Sequence, residues 1–344
     1  MSQASNLLIR LPQSLVRSLA IPEFPNLNIY EASYNRYSKK TKGILSQVKA
    51  ISMINTYIID AVSKSSKKIH VDLNKTNLKF PRDLIVDYNL MYLLNLKNFD
   101  SLSKIIILPY GTEVHNPTFK DIFQPSGLSR CMRQSMYIRK RIKVDCIYDW
   151  TGMITLSDDE NYLPWFWKPL KLDVDLYLER IRLVGRFLAE RYTFVNKFLN
   201  QPNPILIQYS EGISRKPLLN VLNDLNQKSE LFRSFLLKSN SKIFIKPHRS
   251  DVSKLLNRPQ FFKGVEIIHA DNLEVNYIPS EVFINSGIEN FLLVSEFSSS
   301  IFNFQVKNFV TINESKPVQF KHNLMAARRL ANTCGFNPYD YYKS

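Results

Sequence analysis

Along the first half of the chain, short apolar runs alternate with longer amphipathic stretches. The apolar runs have the length of buried β-strands and lie at residues 6–11, 68–73, 104–108 and 144–148. The amphipathic stretches have helical spacing and lie at residues 12–20, 44–63, 83–94 and 129–143. This alternation of strands and helices predicts a doubly wound first domain with a parallel sheet.

The same alternation restarts after the proline-rich segment at residues 201–204, which ends a long helix predicted over 173–199. Strands are predicted at residues 205–208, 242–246, 265–269, 291–295 and 310–313. Helices are predicted at residues 218–237, 253–256, 280–285 and 319–333. The second half is therefore also expected to be a strand–helix domain.

These patterns predict an α/β fold with two Rossmann-like domains that face a cleft, where ligands bind in such architectures. We expect the domains over residues 1–165 and 201–344, joined by a linker and long helix over 166–200. The terminal helix over 319–333 is expected to pack back toward the first domain.

The charge, the cysteine content and the motifs of the chain exclude several classes of function. The 344 residues contain 46 Lys+Arg and 30 Asp+Glu, a formal charge of +16 that is spread along the chain. Dispersed charge fits a cleft or face for an anionic partner better than a nucleic-acid-reading element, so no nucleic acid is expected. Three scattered cysteines and the absence of Gly-rich phosphate motifs argue against a disulfide framework, a zinc knuckle, a dinucleotide fingerprint and a P-loop. We expect a cytoplasmic protein, with basic residues offering peripheral contact to an anionic membrane face.

Polar residues follow the predicted strands of the second half, where a doubly wound sheet binds its ligand. They are a carboxylate, an imidazole, a second carboxylate and a run of hydroxyls, at Glu211, His248, Glu281, Ser298, Ser299 and Ser300. Hydroxyls at a helix start bind phosphate, and a histidine beside them stabilises a leaving group. A carboxylate binds ribose or deprotonates a hydroxyl. Each feature alone is common in loops and helix caps, but their order predicts transfer from a nucleotide-activated donor, with no cofactor and no metal required.

That order resembles the bacterial sialyltransferases and polysialyltransferases (glycosyltransferase family 52-like). The matching segments are Lys246-Pro247-His248, Ile278-Pro279-Ser280-Glu281 and Ser295-Glu296-Phe297-Ser298-Ser299-Ser300, which are similar to an HP motif, a P-x-E stretch and a serine/threonine motif. In the first half, residues 6–20 and 147–154 also resemble the family.

The resemblance implies a GT-B fold and an inverting, metal-independent transfer of sialic acid, or a related nonulosonic acid, from a CMP-linked donor to a glycan hydroxyl. By this resemblance His248 meets the donor phosphate, Ser298, Ser299 and Ser300 bind it, and Glu281 holds the ribose. The acceptor is expected to be lipid-linked or polymeric, as in lipooligosaccharide or capsule polysaccharide biosynthesis.

Two departures from the family pattern affect the site. Arg249 follows His248 in place of a proline, and Arg249 and Lys246 can themselves add positive charge at the phosphate. The family's paired-carboxylate–glycine motif has no direct counterpart here. Glu211, which precedes Gly212, is the first candidate for the catalytic base. The second candidates are Glu113 and His115, in the segment after the strand predicted at 104–108.

Other functions are compatible with the same residues. A CDP-glycerol or CDP-ribitol phosphotransferase has a similar plan, and residues 299–303 resemble its serine motif. A CMP-Kdo transferase is a further alternative, intermediate between a sialyltransferase and a CDP-glycerol or CDP-ribitol phosphotransferase. The non-catalytic alternative is a degenerate transferase or basic binding protein. Basic residues around Arg139 and Arg180 are candidates to line a path for an acidic glycan.

Overall fold

The fold was analysed in a computed structural model. It describes residues 6–33, 42–63, 66–72, 84–87, 104–108, 143–147, 168–170, 173–209, 216–247, 258–295 and 306–312. The chain divides into two compact units, Met1–Arg180 and Ile181–Ser344. Each unit is built around its own β-sheet.

The described residues of the first unit form a seven-stranded sheet in the order β3-β2-β1-β4-β5-β6-β7. All neighbouring strands are parallel. The strands are β1 (Asn6–Ile9), β2 (Asn28–Ser33), β3 (Lys67–Asp72), β4 (Leu84–Asp87), β5 (Lys104–Leu108), β6 (Lys143–Ile147) and β7 (Lys168–Leu170). The predicted doubly wound parallel domain is therefore confirmed.

The prediction of a helix over residues 83–94 is wrong for residues 84–87, which are the part that the structure describes. Leu84–Asp87 is strand β4, which lies between β1 and β5, and its first three residues are almost completely buried. A short apolar run that is buried on both faces of a sheet lacks the alternation that identifies strands. Strand β2, which the hydrophobic pattern did not indicate, pairs with β1 on its other side.

Two helices of the first unit are described, α1 (Pro12–Ser18) and α2 (Lys42–Val62). Proline begins α1, where its missing N–H costs nothing. Helix α2 contacts the β2–β3 edge of the sheet through a buried carboxylate. Glu31 of β2 accepts hydrogen bonds from Ser52 Oγ (2.9 Å) and Asn55 Nδ2 (2.6 Å) of α2. It also pairs with Lys68 Nζ at 3.3 Å and His70 Nδ1 at 3.0 Å, both on β3.

The helix predicted over 173–199 is two helices, α3 (Val174–Ala189) and α4 (Thr193–Leu199). The break lies at Tyr192, whose backbone is extended and whose side chain is buried. Arg180 of α3 is also buried, and its guanidinium donates to the backbone carbonyls of the segment Leu19–Pro22. Arg180 itself is therefore not available to line a glycan path. Arg182 and Arg186 near it are exposed, and Arg139 lies outside the described residues, so the hypothesis for these basic regions stays a prediction.

The described residues of the second unit form a six-stranded sheet in the order β10-β11-β9-β8-β12-β13. The strands are β8 (Pro204–Tyr209), β9 (Lys242–Pro247), β10 (Phe261–Phe262), β11 (Val265–His269), β12 (Leu292–Ser295) and β13 (Phe309–Thr311). Only the short β10 is antiparallel to its neighbour among these strands. Starting from β8, the chain adds β9 and β11 on one side and then returns to add β12 and β13 on the other. The second Rossmann-like unit is thus confirmed as well.

The helix predicted over 218–237 is also divided, into α5 (Leu218–Lys228) and α6 (Glu230–Leu236). Ser229 separates them because its Oγ accepts a hydrogen bond from the Phe232 backbone N–H at 3.1 Å, which caps α6. Both helices pack on one face of the sheet. That core includes Ile205, Ile207, Ile243, Ile245, Leu292, Val294, Leu222, Phe232 and Phe235.

The opposite face of the second sheet has an aromatic core. Phe244 of β9 lies at the centre, with Phe194 and Phe198 of α4 at ring-centroid distances of 5.6 and 5.2 Å. Phe283 contacts the same two α4 rings. It belongs to α8 (Ser280–Ile284), which follows α7 (Leu273–Tyr277). The predicted helix at 280–285 is confirmed, and this face carries the polar residues described next.

Candidate functional site

Strands β8 and β12 form the point at which the second sheet reverses its winding direction. They are hydrogen-bonded neighbours, yet the chain between them builds β9, β10 and β11 on the far side of β8. In doubly wound sheets, ligands bind beyond the carboxyl ends of the strands at this reversal point. The carboxyl ends of β8, β9 and β12 are therefore the candidate site.

A row of polar side chains crosses these three strands near their carboxyl ends. Ser295 of β12 is in register with Gln208 of β8, and Gln208 is in register with Lys246 of β9. Residues in register on parallel strands point to the same face, so we call Ser295, Gln208 and Lys246 the polar row. Its member on β9, Lys246, lies two residues beyond Phe244, so the row lies on the aromatic face of the sheet.

Gln208 connects this row to the helix that covers it. Ser295 Oγ donates to Gln208 Oε1 at 3.1 Å, and Gln208 Nε2 donates to Ser280 Oγ. Ser280 is the first residue of α8. The amide therefore uses its acceptor and its donor to join the end of one strand to the start of one helix.

Lys246 is a buried cation with a defined partner. Its side chain is 6% exposed, and its Nζ donates to the backbone carbonyl of Asn276 in α7 at 3.1 Å. Burial lowers the pKa of Lys246 from 10.5 to about 8, and the negative charge of Glu281 opposes that shift. The lysine thus places a positive charge beneath the carboxyl edge of the sheet and holds the turn before α8.

Glu281 lies in the first turn of α8 and is completely buried. A carboxylate in the first helical turn interacts favourably with the backbone N–H groups there. Its charge also acts on Lys246. The structure therefore brings two of the predicted site residues, Lys246 and Glu281, to the same edge of the second sheet.

The other predicted site residues lie outside the described residues, so their roles stay predictions. They are Glu113, His115, Glu211, His248, Arg249, Ser298, Ser299 and Ser300. All four segments that carry them continue directly from described strands, because β5 ends at Leu108, β8 at Tyr209, β9 at Pro247 and β12 at Ser295.

Sequence reasoning did not single out Gln208, and it named Ser295 only as the first residue of the serine/threonine motif, without a role in the site. The signal in the sequence is a single glutamine near the end of the apolar run 204–209, followed much later by a serine at the end of another apolar run. Within the described ranges, no group of three or more His, Cys, Asp or Glu side chains is placed to hold a metal ion. None of the described helices is long and apolar enough to cross a membrane.

No protein-family model and no curated protein matches this chain. Among solved structures, it is similar to an alpha/beta-galactoside alpha-2,3-sialyltransferase from the luminous marine bacterium Photobacterium phosphoreum, with a TM-score of 0.52. The match covers 99% of this chain and 98% of that chain at 11% sequence identity. This likeness shows the fold. The chain has a sialyltransferase-like α/β fold, whereas the narrower family, the facing cleft and the packing of the terminal helix stay predictions.

Proposed function

We propose that this protein is an inverting, metal-independent glycosyltransferase that moves sialic acid, or a related nonulosonic acid, from a CMP-linked donor to a glycan hydroxyl. The observation that carries this proposal is the polar row at the reversal point of the second sheet. It occurs in a chain whose fold is similar to that of a sialyltransferase along its whole length. The fold supports the general class, and the motifs in the sequence support the donor.

In this proposal the second unit holds the CMP part of the donor. Ser298, Ser299 and Ser300 bind the phosphate through hydroxyl and backbone N–H groups, and Arg249 adds charge at that point. Glu281 accepts hydrogen bonds from the ribose, which requires its carboxylate, completely buried in the structure, to become accessible. Lys246 acts from within the sheet, where its ammonium group offsets the negative charge that gathers at the leaving phosphate.

The transfer step makes one bond and breaks one. The acceptor hydroxyl oxygen attacks the anomeric carbon of the donor sugar from the side opposite CMP, and the bond from that carbon to the phosphate oxygen breaks. Glu211 takes the hydroxyl proton, with Glu113 or His115 as the second candidates. His248 stabilises or protonates the phosphate that leaves as CMP. The acceptor is a lipid-linked or polymeric glycan, and basic residues hold the enzyme near an anionic membrane face.

The test is a donor comparison with the full-length protein. We expect CMP release from CMP-sialic acid to increase with a glycan acceptor, and mass spectrometry to show the acceptor enlarged by one sugar. His248→Ala should lower turnover at least about 100-fold, whereas the control His70→Ala, an exposed histidine in the first unit, should keep it. Transfer from CDP-glycerol or CMP-Kdo in place of CMP-sialic acid would contradict the donor class. Full turnover in His248→Ala would contradict the mechanism.

A further inference from the structure

Gln208 is the central member of the polar row, and no step of the transfer proposed above is assigned to its side chain. It lies one residue before the end of β8, flanked by β12 on one side and β9 on the other. Its side chain is half-buried, at a position where the neighbouring residues Ile207 and Tyr209 are fully buried in the core. A polar side chain at that point requires hydrogen-bonding partners.

The partners of Gln208 belong to the two segments that carry predicted donor contacts. Ser280, which accepts from Nε2, directly precedes Glu281, the predicted ribose ligand. Ser295, which donates to Oε1 at 3.1 Å, ends the strand that continues toward Ser298–Ser300, the predicted phosphate ligands. One amide therefore joins the residue before the predicted ribose ligand to the last described residue before the predicted phosphate ligands.

We propose that Gln208 is a positioning residue that holds the ribose-binding and phosphate-binding segments in the spacing that a nucleoside monophosphate requires. The inference rests on the proposed function and goes beyond it, because it assigns nucleotide affinity to a residue beneath the ligand. Lys246 supports the same segment from the next strand through its bond to the Asn276 carbonyl. The covering segment 276–281 is thus tied to the sheet by side chains from two adjacent strands.

The same pair of strands has a second side-chain bridge that serves as a control. Asn290 Nδ2 donates to Asn203 Oδ1 at 2.6 Å, just before β12 and β8 begin. This bridge joins the same two strands with the same kind of hydrogen bond, but at the opposite edge of the sheet. Removing it changes the stability of the sheet without changing the spacing of the ligand-binding segments.

The experiment measures CMP binding by titration calorimetry in the full-length protein and three variants. Gln208→Met keeps the length of the side chain and removes both hydrogen bonds, Ser280→Ala removes one of them, and Asn203→Ala is the control. We expect the dissociation constant for CMP to rise about tenfold in Gln208→Met, which corresponds to about 1.4 kcal/mol, and less in Ser280→Ala. The control should stay within about twofold of the parent. A fourth variant, the double variant Gln208→Met/Ser280→Ala, should bind CMP no more weakly than Gln208→Met, because both changes remove the same hydrogen bond.

Kinetics separate positioning from general weakening of the fold. In Gln208→Met, KM for the donor should rise with the dissociation constant, while kcat at saturating donor changes less than about threefold. If Gln208→Met binds CMP as tightly as the parent, or if Asn203→Ala loses as much affinity, the inference is wrong. If Gln208→Met does not fold, unchanged affinity in Ser280→Ala overturns it instead. A parent protein that binds no CMP contradicts the proposed function, and this inference with it.

Discussion

Arg180 Nη1 donates a hydrogen bond to the backbone carbonyl of Leu19 at 2.8 Å, across 161 positions of sequence. The same guanidinium also donates to the carbonyls of Ile21 and Pro22, the latter at 3.0 Å. These carbonyls follow helix α1, where the last turn of a helix leaves acceptors without partners inside the helix. Arg180 therefore caps a segment of the first unit from a helix that is distant in sequence.

Loss of this cap is expected to destabilise the protein. Arg180→Met keeps the aliphatic stem but removes the guanidinium from all three carbonyls, of which Ile21 still accepts from the Phe24 backbone N–H, so the free energy of unfolding should fall by about 2–4 kcal/mol. Urea denaturation followed by circular dichroism measures the change. Arg186→Met, on an exposed position of the same helix, is the control and should be close to the parent. Equal stability of the two variants would show that the hydrogen bonds of Arg180 make no net contribution to the free energy of unfolding.

The buried Glu31 provides a second prediction. Glu31→Gln removes the charge that faces Lys68 and His70, and it replaces one of the two oxygens that accept from α2 by an amide N–H₂ group, which cannot accept. Breaking one side of a buried ion pair costs about 2–4 kcal/mol, which thermal or urea unfolding would detect. Glu190→Gln, whose exposed carboxylate pairs with Arg191, should change stability little. A loss in Glu31→Gln that is no larger than this control would contradict the prediction.

The aromatic face of the second sheet is predicted to be a main source of its stability. Phe244→Ala removes the ring that both α4 phenylalanines contact edge to face, and we expect a loss of about 3–5 kcal/mol in the free energy of unfolding. The matched control is Phe261→Ala, because that ring is 62% exposed. Similar losses in the two variants would mean that the aromatic contacts are not the reason for the effect.

The buried Lys246 makes the free energy of unfolding depend on pH in the alkaline range. Its folded-state pKa of about 8 lies below the unfolded value of 10.5. Between these values the unfolded chain binds the proton more tightly, so stability rises with pH in this window. From pH 7 to 10 the parent should gain about 2 kcal/mol relative to Lys246→Met. Urea unfolding at each pH measures the difference.

The control for the pH experiment lies on the same strand. Lys242, at the start of β9, pairs with Glu266 and keeps 35% of its side chain exposed. Lys242→Met is therefore the control: the gain of the parent relative to Lys246→Met from pH 7 to 10 should exceed its gain relative to Lys242→Met. If the parent gains no stability relative to Lys246→Met over that range, the ammonium group of Lys246 is not buried in solution.

The hydrophobic pattern correctly predicted the strands that consist almost entirely of apolar residues, such as β5 and β8. It was wrong for β4 because Leu84–Asp87 is embedded in a longer stretch with helical spacing, and only its place between β1 and β5 makes it a strand. The division of the helix at Ser229 depends on one side-chain hydrogen bond. This bond is a local N-cap between residues three positions apart, and the period of the apolar positions alone does not show it.

Part of the candidate site could also be predicted from the sequence. Lys246 and Glu281 belong to local motifs, and the structure places both at the carboxyl edge of the second sheet. Gln208 and Ser295 could not be linked in this way, since 87 positions separate them. Their contact exists only because β8 and β12 are neighbours in the sheet. That neighbour relation follows from the winding order of the whole unit.

The division between the two units has a practical consequence for dissecting the protein. It falls between Arg180 and Ile181, inside helix α3, where the chain offers no loop to cut. A fragment that ends there would lack the later turns of its last helix, and a fragment that begins there would open with the buried Ile181 uncovered. Expression of either half should therefore include residues 173–191, so that the two fragments overlap by the whole helix.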